Sequence, residues 1–245
     1  MGEISKQDQL EPDDVRKSIE ETAISYNFEQ FGWMGSDIYP EDNKVFLAML
    51  DDVFKESKLQ LPDENIVTVD FGCGHSPYLN GLANFLTKQG KDIAKPRHAE
   101  MVAWDANEDV PLPIIERDHF EVAGTTRLVE NEKDVEKILK DFCEKYGKLD
   151  VVTFFDLGPS PGLYKSGGEY LSTPLKGLNP FIKDGGVVVL TTSFGGQKEG
   201  IVPSVLEEND FEVLVDEENK YRDYFKEFPH HHDHIIVARK KAKEK

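Results

Sequence analysis

The chain has 245 residues, with 47 Asp and Glu against 29 Lys and Arg, a formal net charge of −18. So negative a surface repels phosphate backbones and anionic membranes, which disfavours nucleic acid and lipid as partners. At 38% hydrophobic and 10% aromatic residues the chain is no disordered tail, no run reaches the ~20 apolar residues of a membrane span, and Cys73 and Cys143 lack metal-type spacing, which suits a reduced, cytoplasmic protein.

The first 65 residues hold 16 Asp/Glu and only 6 Lys/Arg. Glu11-Pro12-Asp13-Asp14 reads as a helix start, because acids suit the positive end of the helix dipole. Val15, Ile19, Ala23 and Tyr26 follow at helical spacing, and Phe31-Gly32-Trp33-Met34-Gly35-Ser36 ends that helix. A second amphipathic helix is expected from Asn43 to Lys58, with Val45, Met49 and Val53 in one row and Phe46, Leu50 and Phe54 in the next. Residues 1–60 are thus read as a helical extension or lid, and 61–245 as the main domain.

From Ile66 the pattern alternates. Ile66–Phe71 is an apolar, β-branched strand, followed by a glycine turn and a helix from Tyr78 to Gln89. Glu100–Trp104 and His119–Ala123 are the next strands. Glu132–Tyr146 is an amphipathic helix stopped by Gly147, and Leu149–Phe155 an apolar, central strand. Gly168–Phe181 is helical with breaks, Gly186–Thr191 a strand and Ile201–Asn209 a short helix. Phe211–Val215 and His234–Ala238 are two last strands with no helix between them, so one of them runs antiparallel. The whole describes an α/β fold, a mostly parallel sheet covered on both faces.

The chemistry-bearing motif is Asp70-Phe71-Gly72-Cys73-Gly74-His75-Ser76. Glycine permits a sharp turn and close approach of a ligand, and the following helix start offers N–H groups. Asp105 ends the second strand, where a carboxylate can accept from a ribose diol. Two acids at adjacent strand ends, one with a glycine turn, describe a site for an adenosine-type ligand. The competing reading is an ordinary tight strand–helix connection. A nicotinamide dinucleotide site would require Gly-x-Gly-x-x-Gly, and Pro77 stands at its sixth position. Cys73 reads as a small filler of the turn.

On Asp70-x-Gly72-x-Gly74, Asp105, Asp156 and the helix-free final pair of strands, residues 66–240 resemble the class I S-adenosylmethionine-dependent methyltransferases. The resemblance implies a Rossmann-like fold, a seven-stranded sheet of order 3-2-1-4-5-7-6 with strand seven antiparallel, and S-adenosylmethionine as cofactor. It implies that Phe71, Gly72, Cys73 and Gly74 hold the amino-acid end of the cofactor by their backbone, and that Asp105 holds the ribose hydroxyls. Ala106 would lie near the adenine, and Asp156 near the methionine amino group and the methyl. The chain departs from the family in carrying Ser76 for a third glycine, in the segment Lys91–His98, and in Thr125-Thr126-Arg127 where an acid often meets the adenine. The turn Asp156-Leu157-Gly158-Pro159-Ser160-Pro161 is not the type used on base amino groups, so it names no acceptor. The competing reading of Asp156 is a solvated acid at a strand end or a helix N-cap.

Two features stand outside that motif. His230-His231-His232-Asp233-His234 could ligate a metal through His230, His232 and His234, or supply a general base in His232; a solvated hairpin tip is the competing reading. Tyr26, Phe28, Phe31, Trp33 and Met34 either line a lid or form a packing layer. The expected activity is methyl transfer to a small-molecule or protein acceptor. The alternatives are an idle cofactor-binding sensor or scaffold, and an aminopropyltransferase on the same fold. Acceptor and oligomeric state do not follow from the sequence.

Overall fold

The computed structural model describes residues 16–17, 21, 40–73, 78–88, 96–105, 115–117, 119–127, 129–155, 169–192, 201–225 and 234–242. The helices are α1 (Pro40–Glu56), α2 (Leu79–Leu86), α3 (Glu132–Tyr146), α4 (Glu169–Leu178) and α5 (Ile201–Glu208). The strands are β1 (Ile66–Phe71), β2 (Ala99–Asp105), β3 (Ile115–Arg117), β4 (Phe120–Thr126), β5 (Leu149–Phe154), β6 (Ile182–Thr192), β7 (Phe211–Glu218) and β8 (His234–Lys240). No helix among the described residues is long and apolar enough to cross a membrane.

All eight strands form one sheet, ordered β3-β4-β2-β1-β5-β6-β8-β7. Without the three-residue β3, this is the expected order 3-2-1-4-5-7-6. β1 lies parallel to β2 and β5, while β8 runs antiparallel between β6 and β7. The chain builds outward from β1 to one side through β2 and β4, then returns to build the other side from β5. The reversal falls between β1 and β5, where an open α/β sheet forms a crevice at its carboxyl edge.

The structure adds β3, which pairs antiparallel with β4 at the sheet edge. Its sequence, Ile115-Glu116-Arg117, has one apolar residue and no alternation to reveal it. β6 begins at Ile182, not Gly186, because a bulge opposite Leu149 and Val151 carries it past the polar Lys183 and Asp184. β7 runs on to Glu218: at an edge, Asp216, Glu217 and Glu218 can point to solvent and discourage a further strand from pairing.

Strand alternation sends side chains to two cores. On one face, Ile66, Met101, Ala103, Val151, Val187 and Val189 pack under α1 and α2. On the other, Val69, Trp104, Val152 and Leu190 pack under α3, α4 and α5. Helix α1 is a full member of the first core: Phe46, Leu47, Ala48, Met49 and Val53 are wholly buried. Polar contacts fasten the same helix at its rim. Asp51 accepts from Lys88 at 3.2 Å, Asp52 accepts from the Tyr221 hydroxyl at 2.6 Å, and Glu56 meets Lys220 at 3.4 Å. The aromatic segment from Tyr26 to Met34 lies outside the described residues.

On the second face α4 approaches α3 through Gly177. A Cβ there would stand 2.7 Å from the Val135 Cβ and 2.8 Å from the Glu132 carbonyl oxygen. Gly177→Ala gains helix propensity but must push the two helices apart, for a net loss of about 1–2 kcal/mol in urea unfolding. A stabilised variant would mean that the helices separate freely.

Candidate active site

The sheet has the strand order expected from the sequence, and its carboxyl edge carries the predicted acids. Asp70 is the penultimate residue of β1 and Asp105 the last of β2; register pairs Phe71 with Trp104, so Asp105 stands just beyond it. Phe71 and Trp104 point into the second core with their rings 3.8 Å apart, which sends Asp70 and Asp105 to the opposite face, under α1. The two carboxylates share one face of adjacent strand ends, close enough to repel each other.

The turn after β1 is fixed by backbone. Gly72 has φ 78°, a left-handed conformation that residues with a Cβ resist. The N–H groups of Gly72 and Cys73 both donate to the Trp104 carbonyl, each at 2.8 Å. They lock the turn onto β2 and are not turned toward a ligand. The Cys73 thiol is pushed well up by burial, then by Asp70 and Asp105, so it stays neutral and fills the turn.

Asp70 is the most unusual group of the site. It is 2% exposed, and its Oδ1 lies 2.7 Å from the Thr153 hydroxyl of β5, itself fully buried. Burial pushes its carboxyl up to about 7; the Thr153 hydrogen bond pulls the other way, and Asp105 adds to the rise. Among the described residues no cation lies beside it. The sequence reading missed Thr153. Its one signal was a hydroxyl inside an otherwise apolar central strand, and threonine is common in strands for its branching alone.

Thr126 of β4 pairs in register with Asp105 and shares its face. The next residue, Arg127, donates its backbone N–H to the Asp105 carbonyl at 2.9 Å and its guanidinium to the Lys137 carbonyl at 3.1 Å. The end of β4 is therefore braced against β2 and α3, and it offers a hydroxyl where the family often has an acid.

His234 opens β8 opposite Thr192 of β6 and Glu218 of β7, at the carboxyl edge. It is buried and paired with Asp216. Alternation puts it on the face of Ile236, in the second core, so the sheet stands between it and the two strand-end acids. Gly74, Ala106, Asp156, His230 and His232 lie outside the described residues. Among the described residues no three His, Cys, Asp or Glu side chains gather as a metal would require.

Above the acids an aromatic wall closes the first core. Phe46 of α1 stacks on Tyr78 at 4.9 Å and meets Phe155 edge-on at 4.8 Å, and Tyr78 meets Phe225 edge-on at 6.1 Å. Tyr78 immediately precedes α2 and Phe155 immediately follows β5, so the wall sits at the carboxyl edge beside Asp70.

No protein-family model and no curated protein sequence matches the chain. Solved structures do match in shape. A protein of Streptococcus thermophilus described as a hemolysin is 15% identical over 78% of this chain, with a TM-score of 0.45. MNMC2 from Aquifex aeolicus is 13% identical over 78%, with a TM-score of 0.42. The chain spans 64% and 59% of the lengths of these two proteins. Magnesium protoporphyrin IX methyltransferase from Synechocystis, solved with bound SAH, is 15% identical over 94% of this chain and 99% of its own, with a TM-score of 0.47. The identities are too low to carry any residue's role across.

Proposed function

We propose that the protein binds S-adenosylmethionine at the carboxyl edge of β1 and β2 and transfers its methyl group to a small-molecule or protein acceptor. The observation that carries this reading is the pair of strand-end acids, Asp70 and Asp105, on one face of the sheet at the reversal of strand order, flanking a glycine in the left-handed region. The donor set suits the cofactor on its own chemistry. A buried carboxyl with no cation beside it among the described residues matches a ligand that brings positive charge. A half-buried carboxylate at the neighbouring strand end matches a diol, which offers two donors to one acceptor group.

In this assignment Asp105 accepts from the ribose hydroxyls, with Thr126 alongside it. The turn from Phe71 to Gly74 shapes the approach to the amino-acid end, and Asp156, next after Phe155, completes that end. When bound, the cofactor supplies an electrophilic methyl on a sulfonium. The residues' task is then to orient the donor and exclude water, and the aromatic wall of Phe46, Tyr78, Phe155 and Phe225 provides a dry, rigid backing for it. The acidic chain favours a small molecule or a protein over nucleic acid as acceptor, and its two unpaired cysteines suit a reducing cytoplasm.

Asp105→Ala is expected to weaken S-adenosylmethionine by about thirtyfold, the loss of a charge-assisted hydrogen bond of about 2 kcal/mol. Isothermal titration calorimetry of wild type and variant decides the matter. Absence of wild-type binding at millimolar cofactor would end the cofactor reading, and unchanged affinity in the variant would remove Asp105 from it.

A further inference from the structure

The Thr153 hydroxyl has two neighbours and one proton. Its Oγ1 lies 2.7 Å from Asp70 Oδ1 and 3.3 Å from the Val69 carbonyl oxygen. Both side chains are buried, so neither carboxyl form can be satisfied by bulk water. The geometry allows two arrangements. With Asp70 neutral, its O–H donates to Thr153 Oγ1, and the Thr153 hydroxyl donates to the Val69 carbonyl. With Asp70 ionised, the Thr153 hydroxyl turns and donates to the carboxylate. A hydroxyl can donate and accept where a methyl can do neither.

We infer that Asp70 and Thr153 form a proton-exchanging cation receptor: arrival of positive charge at this strand end ionises Asp70, its proton leaves to solvent, and the Thr153 hydroxyl rotates from Val69 to hold the carboxylate. Thr153 is a positioning residue, acting on the ligand through Asp70. The inference rests on the cofactor reading for the identity of the cation and on the two distances for the switch.

The surroundings favour such exchange. On the same face stand Asp105 of β2, whose charge opposes ionisation of Asp70, and the neutral Cys73 thiol in the turn. Of the covering elements, α1 carries Asp51, Asp52 and Glu56, which are held by Lys88, Tyr221 and Lys220 at its rim. β5 contributes Thr153 alone, and the Tyr78 and Phe46 rings close the space toward the helices. Burial holds the Asp70 carboxyl near neutrality, at about 7, so neither form is far from the other in free energy. A ligand cation needs only to outweigh Asp105 and the burial to take the place of the proton.

The test has two arms. In the first, the ligand-free protein is titrated with carbon-13-labelled aspartate, and the Asp70 carboxyl resonance is followed by NMR in wild type, Thr153→Val and Thr153→Ser. Thr153→Val keeps the shape and removes the donor, so the Asp70 midpoint is expected to rise by about one pH unit, tenfold in proton affinity. Thr153→Ser restores the hydroxyl and the wild-type midpoint. A wild-type midpoint in the ordinary carboxylate range, or one unmoved by Thr153→Val, would overturn the switch.

In the second arm, S-adenosylmethionine is titrated into the protein at pH 6.5 in two buffers of different ionisation enthalpy. A midpoint of about 7 means release of about three-quarters of a proton per cofactor bound. Uncharged adenosine is expected to release none. Binding without proton release would overturn the coupling. Failure of S-adenosylmethionine to bind would overturn the cofactor reading, while the NMR arm would still decide the switch in the ligand-free protein.

Discussion

Asp70→Asn will make the ligand-free protein more stable at pH 8, by about 3 kcal/mol in urea unfolding. Burial holds the carboxyl at about 7 in the folded chain, against an ordinary value of 3.8 for an aspartate. Between those values the folded state holds a proton that the unfolded state has lost, so wild-type stability falls as pH rises through the window. The full penalty of an ionised Asp70 is about 4 kcal/mol, at 1.36 kcal/mol for each unit of difference. Asparagine escapes it but leaves one buried amide N–H to satisfy, which returns about 1 kcal/mol. The difference between the two stability curves is therefore small near pH 4 and grows toward pH 8, where it levels off. The same substitution is expected to abolish high-affinity binding of S-adenosylmethionine. A difference that stayed flat from pH 4 to pH 8 would show that Asp70 ionises as an ordinary surface carboxylate. This trade of stability against binding is the pattern expected where a site is built on a buried, unneutralised group.

Phe46→Ala will cost about 4 kcal/mol, the upper range for truncating a buried aromatic. Phe46 is wholly buried between Tyr78 and Phe155, so its removal leaves a cavity under α1 that rigid neighbours cannot fill. The effect reaches the site, because Tyr78 leads into α2 and Phe155 directly follows β5. Phe46→Leu should recover most of the stability by keeping the volume. A loss below 1 kcal/mol for Phe46→Ala would mean that α1 can lift from the sheet without disturbing the core.

Most of the scaffold is legible in the sequence because its strands are buried on both faces. Runs such as Ile66-Val67-Thr68-Val69 and Val187-Val188-Val189-Leu190 announce central strands with no help from context. Edges are harder. The acids of β7 read as loop, since solvent exposure removes the apolar signal, and β3 has too few residues to carry one. Asp70 and Asp105 are legible as strand-end acids because of the glycine turn and their spacing. The partnership of Asp70 with Thr153 is not, since it joins positions 83 residues apart, and only the pairing of β1 with β5 brings them together. His234 shows the complementary limit. Its place at the carboxyl edge follows from antiparallel pairing, but its face depends on where β8 begins, and a shift of one residue reverses it.

The position of β8 has a consequence for how the protein is made. β6 and β7 do not pair with each other; β6 has β5 on one side, and its other side, like β7, pairs with β8, which follows both in the chain. As the polypeptide leaves the ribosome, the apolar run of β6 must wait with its outer edge bare until His234–Lys240 has emerged. For that interval the nascent chain presents an unsatisfied strand edge, the kind of surface that chaperones bind and that joins chains together when they do not. β8, made after both of its neighbours, is thus the strand that joins β7 to the rest of the sheet.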